Sequence, residues 1–293
     1  MRFNTRERLP VRPPFRLDFT AAALRRLAAN VVDVVDGATY YRALADERGT
    51  SLVAVVQCGE SEIEVRATGR DGARWLPTIA RMLGTGADLS AWYRRSERIG
   101  WLRPYARRFA GLKPPRYASL WEACAHAIVF QQISIHAAGA IMRRAIEQLG
   151  TAVRASTVAS IPFPSPECWL AADPGRLRAA GLSLNKIAHL RCVAEAFADR
   201  TIDEAALEAL PTPQAAQELC RVRGIGPWSA AVILLRGMGR LDIFPLRDSG
   251  VARSLSLLAG ENVDIDRVLE TLGPTRGMLY YHLLLARIAG RNQ

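Results

Sequence analysis

The chain has 293 residues, 49% of them hydrophobic, which is enough for one large domain or two ordinary domains with a real core. No uncharged apolar stretch reaches the roughly 18 residues of a membrane span, and the Arg- and Pro-rich start over residues 1–17 lacks the apolar run of a secretory signal. The net charge of +11 is compatible with an ordinary solvated surface. Together with a pI of about 10.1, however, it favours a polyanionic partner, most commonly nucleic acid.

The cysteines and histidines argue against a metal centre. The cysteines form no C-x-x-C pair, and the cysteines and histidines do not cluster along the chain. They are Cys58, Cys124, Cys168, Cys192, Cys220, His126, His136, His189 and His282. This pattern disfavours a zinc site, a metallohydrolase and a four-cysteine iron–sulfur cluster. An odd cysteine count without a secretory signal fits a reducing compartment, so we expect an intracellular, cytoplasmic protein with no required cofactor.

The first part of the chain predicts a mixed α/β domain over residues 1–112, with a small antiparallel sheet. Alternating or β-branched apolar runs predict strands over 40–45, 51–57 and 60–67. Apolar residues at helical spacing predict helices over 20–30, with Leu24 and Leu27 inward, and over 74–83, ended by Gly84.

From Lys113-Pro114-Pro115 onwards the pattern is helical, and the two prolines are typical of a linker or domain entry. Ser119 and Glu122 form a capping box, and Asp173 and Thr212 each precede a proline at a predicted helix start. No strand pair is predicted after residue 115. We therefore expect an α+β protein whose second domain, 113–293, is all helical.

The segment from Leu219 to Ile233 predicts a helical hairpin. Its apolar residues recur at helical spacing on one side of two short helices: Leu219, Val222, Ala230 and Ile233. Gly224 and Gly226 stand in the turn between the helices, where positive φ and close approach of a partner are needed.

The turn of this hairpin predicts a site for an anion. N–H groups of the turn and of the following helix start lack internal partners and can hold a backbone phosphate without reading sequence. A plain turn with two glycines is the alternative. The apolar register in a basic chain favours a DNA-binding hairpin, with Gly224, Ile225, Gly226 and Trp228 at the DNA.

Gly224-Ile-Gly-Pro-Trp-Ser-Ala230, followed by a Gly- and Pro-containing loop and Asp248, resembles the helix-hairpin-helix superfamily of DNA glycosylases. Within it, the chain most resembles bacterial 3-methyladenine DNA glycosylase II. The segment 116–149, which includes 128–134, resembles that family's first core helices, and the segment 181–188 resembles a recurrent helix-turn segment of the family. The N-terminal part resembles its small β-sheet domain more loosely. The resemblance implies cleavage of the N-glycosidic bond of damaged bases.

Asp248 lies 22 positions after Gly226, where a helix is predicted to start. It is either a simple N-cap or the catalytic carboxylate, and the two roles are compatible because a helix start favours the anion. Departure of a base builds positive charge on the sugar, which a nearby carboxylate stabilises. The hairpin and the resemblance favour the catalytic role.

In a lyase of this family, a catalytic lysine occupies the position that is Trp228 in this chain. The only lysines of this chain are Lys113 and Lys186. Neither lysine lies in the motif, so the resemblance implies hydrolysis without strand cleavage, because no amine is placed there to form an imine. It also implies that Trp228 lines the base pocket, although a Trp at this position is commonly a packing residue. Where the best-known pocket has further aromatic residues, this chain has Val232, Ser249 and Thr275.

The resemblance implies two further features. The residue that fills the space left by the flipped base lies at Gln131–Gln132, with Gln132 the better candidate; two exposed glutamines at a helix end are the alternative. A structural monovalent cation is implied at the backbone carbonyls of Cys220, Val222 and Ile225.

We thus expect a monofunctional glycosylase for alkylated purines such as 3-methyladenine and 7-methylguanine. Its partner is duplex DNA with a damaged base, it has no membrane partner, and it acts as a monomer. Two alternatives stay open: a non-catalytic helix-hairpin-helix DNA-binding protein, which does not need Asp248, and a glycosylase for oxidised or mismatched bases.

Overall fold

The N-terminal part of the chain folds into a five-stranded antiparallel sheet. The computed structural model describes residues 2–246, 248–260 and 263–290. The spatial order is β1-β5-β4-β3-β2, and the strands are β1 Phe3–Pro10, β2 Asp33–Asp36, β3 Thr39–Asp46, β4 Gly49–Gln57 and β5 Glu62–Thr68. The sequence pattern predicts the three central strands but misses β1 and β2. These lie at the sheet edges, where β1 is mostly exposed and therefore carries no apolar alternation.

Fifteen helices are described, and the predicted α+β fold is confirmed. They are α1 Leu17–Arg25, α2 Leu76–Leu83, α3 Ser90–Ser96, α4 Arg103–Arg108, α5 Leu120–Val129, α6 Ile135–Leu149, α7 Pro166–Ala171, α8 Pro174–Ala179, α9 Leu184–Ala198, α10 Glu204–Ala209, α11 Thr212–Cys220, α12 Pro227–Ile233, α13 Ser249–Ala259, α14 Ile265–Leu272 and α15 Gly277–Ala289. Within the described ranges, no helix combines the length and apolar composition that crossing a bilayer requires.

The predicted caps at the helix starts are largely confirmed. The Ser119 hydroxyl accepts the Glu122 N–H (3.1 Å), and Asp173 accepts the Arg176 N–H (2.9 Å). Thr212 differs, because its hydroxyl donates to Asp242 Oδ1 (2.9 Å) and α11 begins at Thr212 itself.

The first helix differs from its predicted bounds of 20–30. It begins at Leu17 and ends at Arg25, because Arg26 has a φ of +57° and turns the chain out of the helix. Leu24 is buried as predicted, but Leu27 lies beyond the helix and is half-buried.

A short strand pair interrupts the helical domain, contrary to the prediction of no strands after residue 115. Strands β6 Val153–Ala155 and β7 Val158–Ser160 form a two-stranded antiparallel hairpin. Three residues per strand are too few to give a detectable alternation. The hairpin is tied to the large sheet through Ser160, whose hydroxyl accepts from Ala43 N (2.9 Å) and donates to Val32 O (2.8 Å).

Three large hydrophobic cores and one small cluster, formed by Ala43, Leu52 and Ala155, stabilise the described part of the chain. One lies between the sheet and helices α1 and α2, and one lies among α5–α9, α11 and α12. The third joins α3 and α4 to α13–α15 and so combines residues from before and after the predicted boundary at residue 112. The Pro114–Pro115 segment is buried rather than exposed, and the Lys113 ammonium donates to Ala87 O (2.8 Å).

A buried ionic cluster connects the sheet to α5. Arg42 on β3 contacts Asp33 Oδ1 (2.7 Å) and Glu122 Oε2 (2.5 Å), and all three side chains are at most 2% exposed. Burial alone would raise the pKa of Asp33, but the adjacent Arg42 lowers it, whereas burial raises the pKa of Glu122. The cluster fixes the start of α5 against the sheet, because separating its members would leave a charge buried without a partner.

His282 makes the stability of the fold depend on pH. It is 2% exposed, packs on Trp92 with ring centroids 4.6 Å apart, and uses Nδ1 to donate to Met278 O (2.9 Å). Burial lowers its pKa to about 4.

We expect the free energy of unfolding to fall as the pH falls from about 6.5, the ordinary histidine value, towards 4. The unfolded chain takes up a proton there that the folded chain does not, so His282 contributes a slope of about 1.4 kcal/mol per pH unit. Urea unfolding at pH 7, 6 and 5 measures this slope in the wild type and in His282→Gln. Equal slopes in the two proteins would contradict the expectation.

Candidate active site and nucleic-acid interface

The predicted hairpin is present, with α11 and α12 joined by the turn over residues 221–226. Leu219, Ala230 and Ile233 are buried and Val222 is half-buried, so the apolar register holds the two helices together. Gln131, at the end of α5, also contacts the hairpin: its amide nitrogen donates to Gly224 O (2.9 Å) and to Ser229 Oγ (2.8 Å).

The two glycines of the turn have different reasons to be glycine. Gly224 has a φ of +98°, and a Cβ there would lie 2.6 Å from Cβ of His189 on α9. Gly226 has a φ of −98° in extended backbone, and a Cβ there would meet nothing within 4 Å. The predicted need for positive φ is therefore right for Gly224 and wrong for Gly226, whose open side leaves room for a partner to approach the backbone.

The turn presents unpaired backbone donors, as the sequence predicts. Among the described residues, the N–H groups of Gly224, Gly226 and Trp228 have no acceptor, and Pro227 has no N–H. The flanking Arg221 and Arg223 side chains are exposed. Donors and positive charge on one exposed turn form a surface suited to an anion.

The same turn contains the carbonyl groups at which a cation is implied. Val222 O accepts the Ile225 N–H (3.0 Å), whereas the carbonyls of Cys220 and Ile225 accept from no donor in the described part of the chain. Free carbonyl oxygens are ligands that a hard cation prefers, so the residues present fit such an ion. Over the same residues, no group of three His, Cys, Asp or Glu side chains could hold a metal ion.

Asp248 is the N-cap of α13, as the sequence predicts. Its Oδ1 accepts from Gly250 N (2.8 Å) and Val251 N (3.0 Å), and the residue is half-buried. These two donors hold the carboxylate in place at the positive end of a helix. A Cβ on Gly250 would lie 2.6 Å from Nη1 of Arg287 and 3.1 Å from Asp248 Oδ1, so the Arg287 guanidinium also lies near the start of α13.

The four residues predicted to line the base pocket differ in their environments. Trp228 is half-buried in the first turn of α12, and its indole Nε1 is buried without an acceptor among the described residues. Val232 lies one turn later on the same helix face and is 5% exposed. The Thr275 hydroxyl donates locally to Leu272 O (2.8 Å). Ser249 is the first residue of α13, but its side chain lies outside the described residues.

The two glutamines after α5 also have different environments. Gln131 is half-buried, and its amide bonds to the hairpin. Gln132 is exposed and has a φ of +57°, in the left-handed region that non-glycine residues seldom adopt. The exposed, conformationally distinct Gln132 is thus the one that a partner can reach.

A cavity beside this turn was not predicted from the sequence. It is narrow, is partly open to solvent and lies between residues 24–31 and helices α5 and α6. Phe130 and Arg26 line it, with the Arg26 guanidinium 5.5 Å from the centre of the Phe130 ring and hydrogen-bonded to the Tyr280 hydroxyl. Arg26 and Arg287 lie far from the hairpin in sequence and occupy helix ends, where an arginine is ordinary, so no local pattern singles them out.

The comparisons with known proteins agree with this geometry. The sequence profile described as HhH-GPD superfamily base excision DNA repair protein matches residues 125–271, half of the chain. A DNA-3-methyladenine glycosylase of Bacillus subtilis is 26% identical over 60% of this chain and 58% of its own length. A probable bifunctional transcriptional activator/DNA repair enzyme AlkA of Mycobacterium tuberculosis is 29% identical over 86% of this chain and 51% of its own length. The chain thus spans about half the length of these curated relatives.

Two solved structures show the same fold at low sequence identity. A 3-methyladenine DNA-glycosylase from Archaeoglobus fulgidus has a TM-score of 0.79 and 24% identity, covering 95% of this chain and 97% of that one. An 8-oxoguanine glycosylase/lyase from Clostridium acetobutylicum, in complex with double-stranded DNA, has a TM-score of 0.76 and 16% identity, covering 99% and 100%.

The two glycines give a paired test of the hairpin. Gly224→Ala combines a strained φ with a clash at His189 and should lower the free energy of unfolding by about 3 kcal/mol. Gly226→Ala should change stability by less than about 0.5 kcal/mol but weaken binding to undamaged duplex DNA about tenfold, because its Cβ projects to where a phosphate would meet the backbone. Thermal unfolding and fluorescence anisotropy measure the two effects. A folded Gly226→Ala protein with unchanged affinity would refute the phosphate-binding role of the turn.

Proposed function

The chain belongs to the HhH-GPD superfamily of base excision DNA repair proteins, and on this premise we propose that it is a monofunctional DNA glycosylase for alkylated purines in duplex DNA. The observation that carries the proposal is the Asp248 carboxylate, held by two backbone donors at the start of α13. It follows the hairpin at the spacing typical of the family. A DNA-binding protein without catalysis needs the hairpin and would use this aspartate only as a helix cap.

The chemistry proposed for Asp248 is electrostatic. As the bond between base and sugar breaks, positive charge develops on C1′ and the ring oxygen. A fixed carboxylate stabilises that charge without reorganising and also orients or deprotonates the attacking water. An alkylated purine that already carries positive charge leaves without help from a strong acid.

The hairpin provides the contact that binds the DNA backbone. The free N–H groups of Gly224, Gly226 and Trp228 bind one backbone phosphate, and this contact carries no sequence information. The backbone carbonyls of Cys220, Val222 and Ile225 would hold a monovalent cation, which would add positive charge at the turn. Since phosphate contacts dominate, affinity for undamaged duplex is strongly salt-dependent.

The damaged base leaves the helix before its sugar becomes accessible. Gln132, exposed at the turn after α5, fills the space and hydrogen-bonds the orphaned partner base. Trp228 offers an indole face for stacking on a cationic base, and its unpaired Nε1 can donate to an acceptor on a ligand. Val232, Ser249 and Thr275 complete this proposed pocket.

A second candidate function is release of a neutral oxidised purine, which one observation favours. The Arg26 guanidinium lines the cavity beside the Gln131–Gln132 turn. If the flipped base enters this cavity, the guanidinium there repels a positively charged base and donates hydrogen bonds to a carbonyl oxygen. Duplexes that each carry one defined lesion distinguish the candidates, because release of 7-methylguanine supports the first and release of 8-oxoguanine alone supports the second.

Asp248→Asn tests the catalytic role directly. Asparagine keeps the shape and the helix cap but removes the negative charge, so we expect binding to abasic-site DNA to persist. The single-turnover rate of base release should fall by about 10²–10³-fold.

Asp173→Asn is the matched control, because Asp173 also caps a helix through one oxygen, at α8. It should leave the rate of base release within about twofold of the wild type. Near-normal base release by Asp248→Asn would remove Asp248 from the mechanism and favour the non-catalytic alternative.

The product on a methylated-purine duplex should be an intact strand with an abasic site. Trp228 stands where a lyase of the family has its lysine, so water is the attacker and no imine forms to drive β-elimination. Labelled duplex is incubated with enzyme, with and without borohydride, and half of each sample is heated in alkali. Nicks should arise only after alkali. A borohydride-dependent protein–DNA adduct would overturn the monofunctional assignment.

A further inference from the structure

The Lys186 ammonium reaches across to the end of α5. Lys186 lies in the first turn of α9, and its Nζ donates to Val129 O (2.6 Å) and to Gln131 O (2.9 Å). The last carbonyls of a helix have no partner within the helix. Lys186 supplies partners here from an element more than 50 residues away along the chain. Positive charge at this end of α5 also complements the helix dipole.

One of these contacts fixes the conformation of Gln132. The Gln131 carbonyl belongs to the peptide unit that precedes Gln132, and the orientation of that unit relative to the Gln132 Cα is its φ angle. That φ is +57°, in the left-handed region that is strained for a non-glycine residue. A carbonyl held by an ammonium group cannot rotate freely, so the contact opposes relaxation of Gln132 to an ordinary φ.

The hairpin also holds Gln131, through its side chain. The Gln131 side chain donates to Gly224 O and Ser229 Oγ. The backbone of Gln131 is bound to α9 and its side chain to the hairpin, while Gln132 remains exposed. The turn is therefore held at Gln131, and the residues that follow it, Gln132 to Ser134, are exposed.

We propose that Lys186 is a positioning residue for the filling of the base stack, and that it acts by holding the Gln131–Gln132 peptide so that Gln132 is preset for insertion. The inference rests on the proposed function, because it assumes that Gln132 enters the space left by the flipped base. Lys186 touches neither the reacting bond nor the phosphate. Replacing Lys186 should therefore affect insertion and base release while leaving the binding of the backbone phosphate by the hairpin intact.

The experiment uses a duplex with a tetrahydrofuran abasic analogue and 2-aminopurine as the adjacent base. Insertion of a side chain changes the stacking, and hence the fluorescence, of 2-aminopurine. Lys186→Met should reduce the wild-type fluorescence change to the level of Gln132→Ala. It should also lower the single-turnover rate of base release roughly tenfold, the effect of losing one charge-assisted hydrogen bond. Affinity for undamaged duplex should stay within about twofold.

Two further variants separate positioning from general stability. Lys186→Arg retains a cation with several donors and should restore most of the fluorescence change. Lys113→Met is the matched control, because Lys113 also donates to a main-chain carbonyl, Ala87 O, and lies on another part of the fold. It should lower the melting temperature without reducing the insertion signal. If circular dichroism shows that Lys186→Met is unfolded, Lys186→Gln takes its place with the same expected result.

The outcomes distinguish this inference from the proposed function. A folded Lys186→Met protein with a wild-type insertion signal would overturn the inference while base release by the wild type upheld the function. Failure of the wild type to release any base, with a normal Lys186-dependent insertion signal, would overturn the function alone. No insertion signal from the wild type itself would overturn the inference.

Discussion

Helix α5 is held by polar contacts at both ends, and the arrangement of the site depends on this constraint. At its start, Glu122 is buried against Arg42 of the sheet and also accepts the Ala118 N–H (3.2 Å). At its end, Gln131 bonds to the hairpin. Such contacts are directional, so they fix the rotation and the height of the helix where apolar packing alone would allow sliding. These contacts thereby fix the positions of the sheet, the hairpin and the exposed turn relative to one another.

At Asp248, the backbone groups that need partners at the helix start are also those that hold the carboxylate in place. The two N–H groups that satisfy its carboxylate are those that the first turn of α13 would otherwise leave unpaired. Holding the carboxylate in place therefore requires no additional structure, and the fold presents a fixed anion at a half-buried position. Gly224 likewise contributes to both the packing and the turn, since its close packing on His189 fixes the turn that carries the unpaired donors.

The sequence predicts the elements whose signals are local. Alternation marks the central strands, cap residues mark the starts of α5 and α8, and the apolar register with two glycines marks the hairpin. Features that depend on distant partners could not be predicted in this way. Strand β1 is recognisable only through its pairing with β5, and the cavity combines a turn after α1 with α5 and α6. The different roles of Gln131 and Gln132 depend on Gly224 and Ser229, nearly a hundred residues away in the chain.

Both lysines of the chain have their amines bound to main-chain carbonyls, Lys113 in the interior and Lys186 at the end of α5. The positive charge that the surface offers to solvent is therefore carried almost entirely by guanidinium groups. A guanidinium keeps its proton at any pH at which proteins remain folded, whereas lysine ammonium groups lose theirs near pH 10. Attraction for a polyanion should thus persist in alkaline solution, and reagents that acylate amines should leave it largely intact.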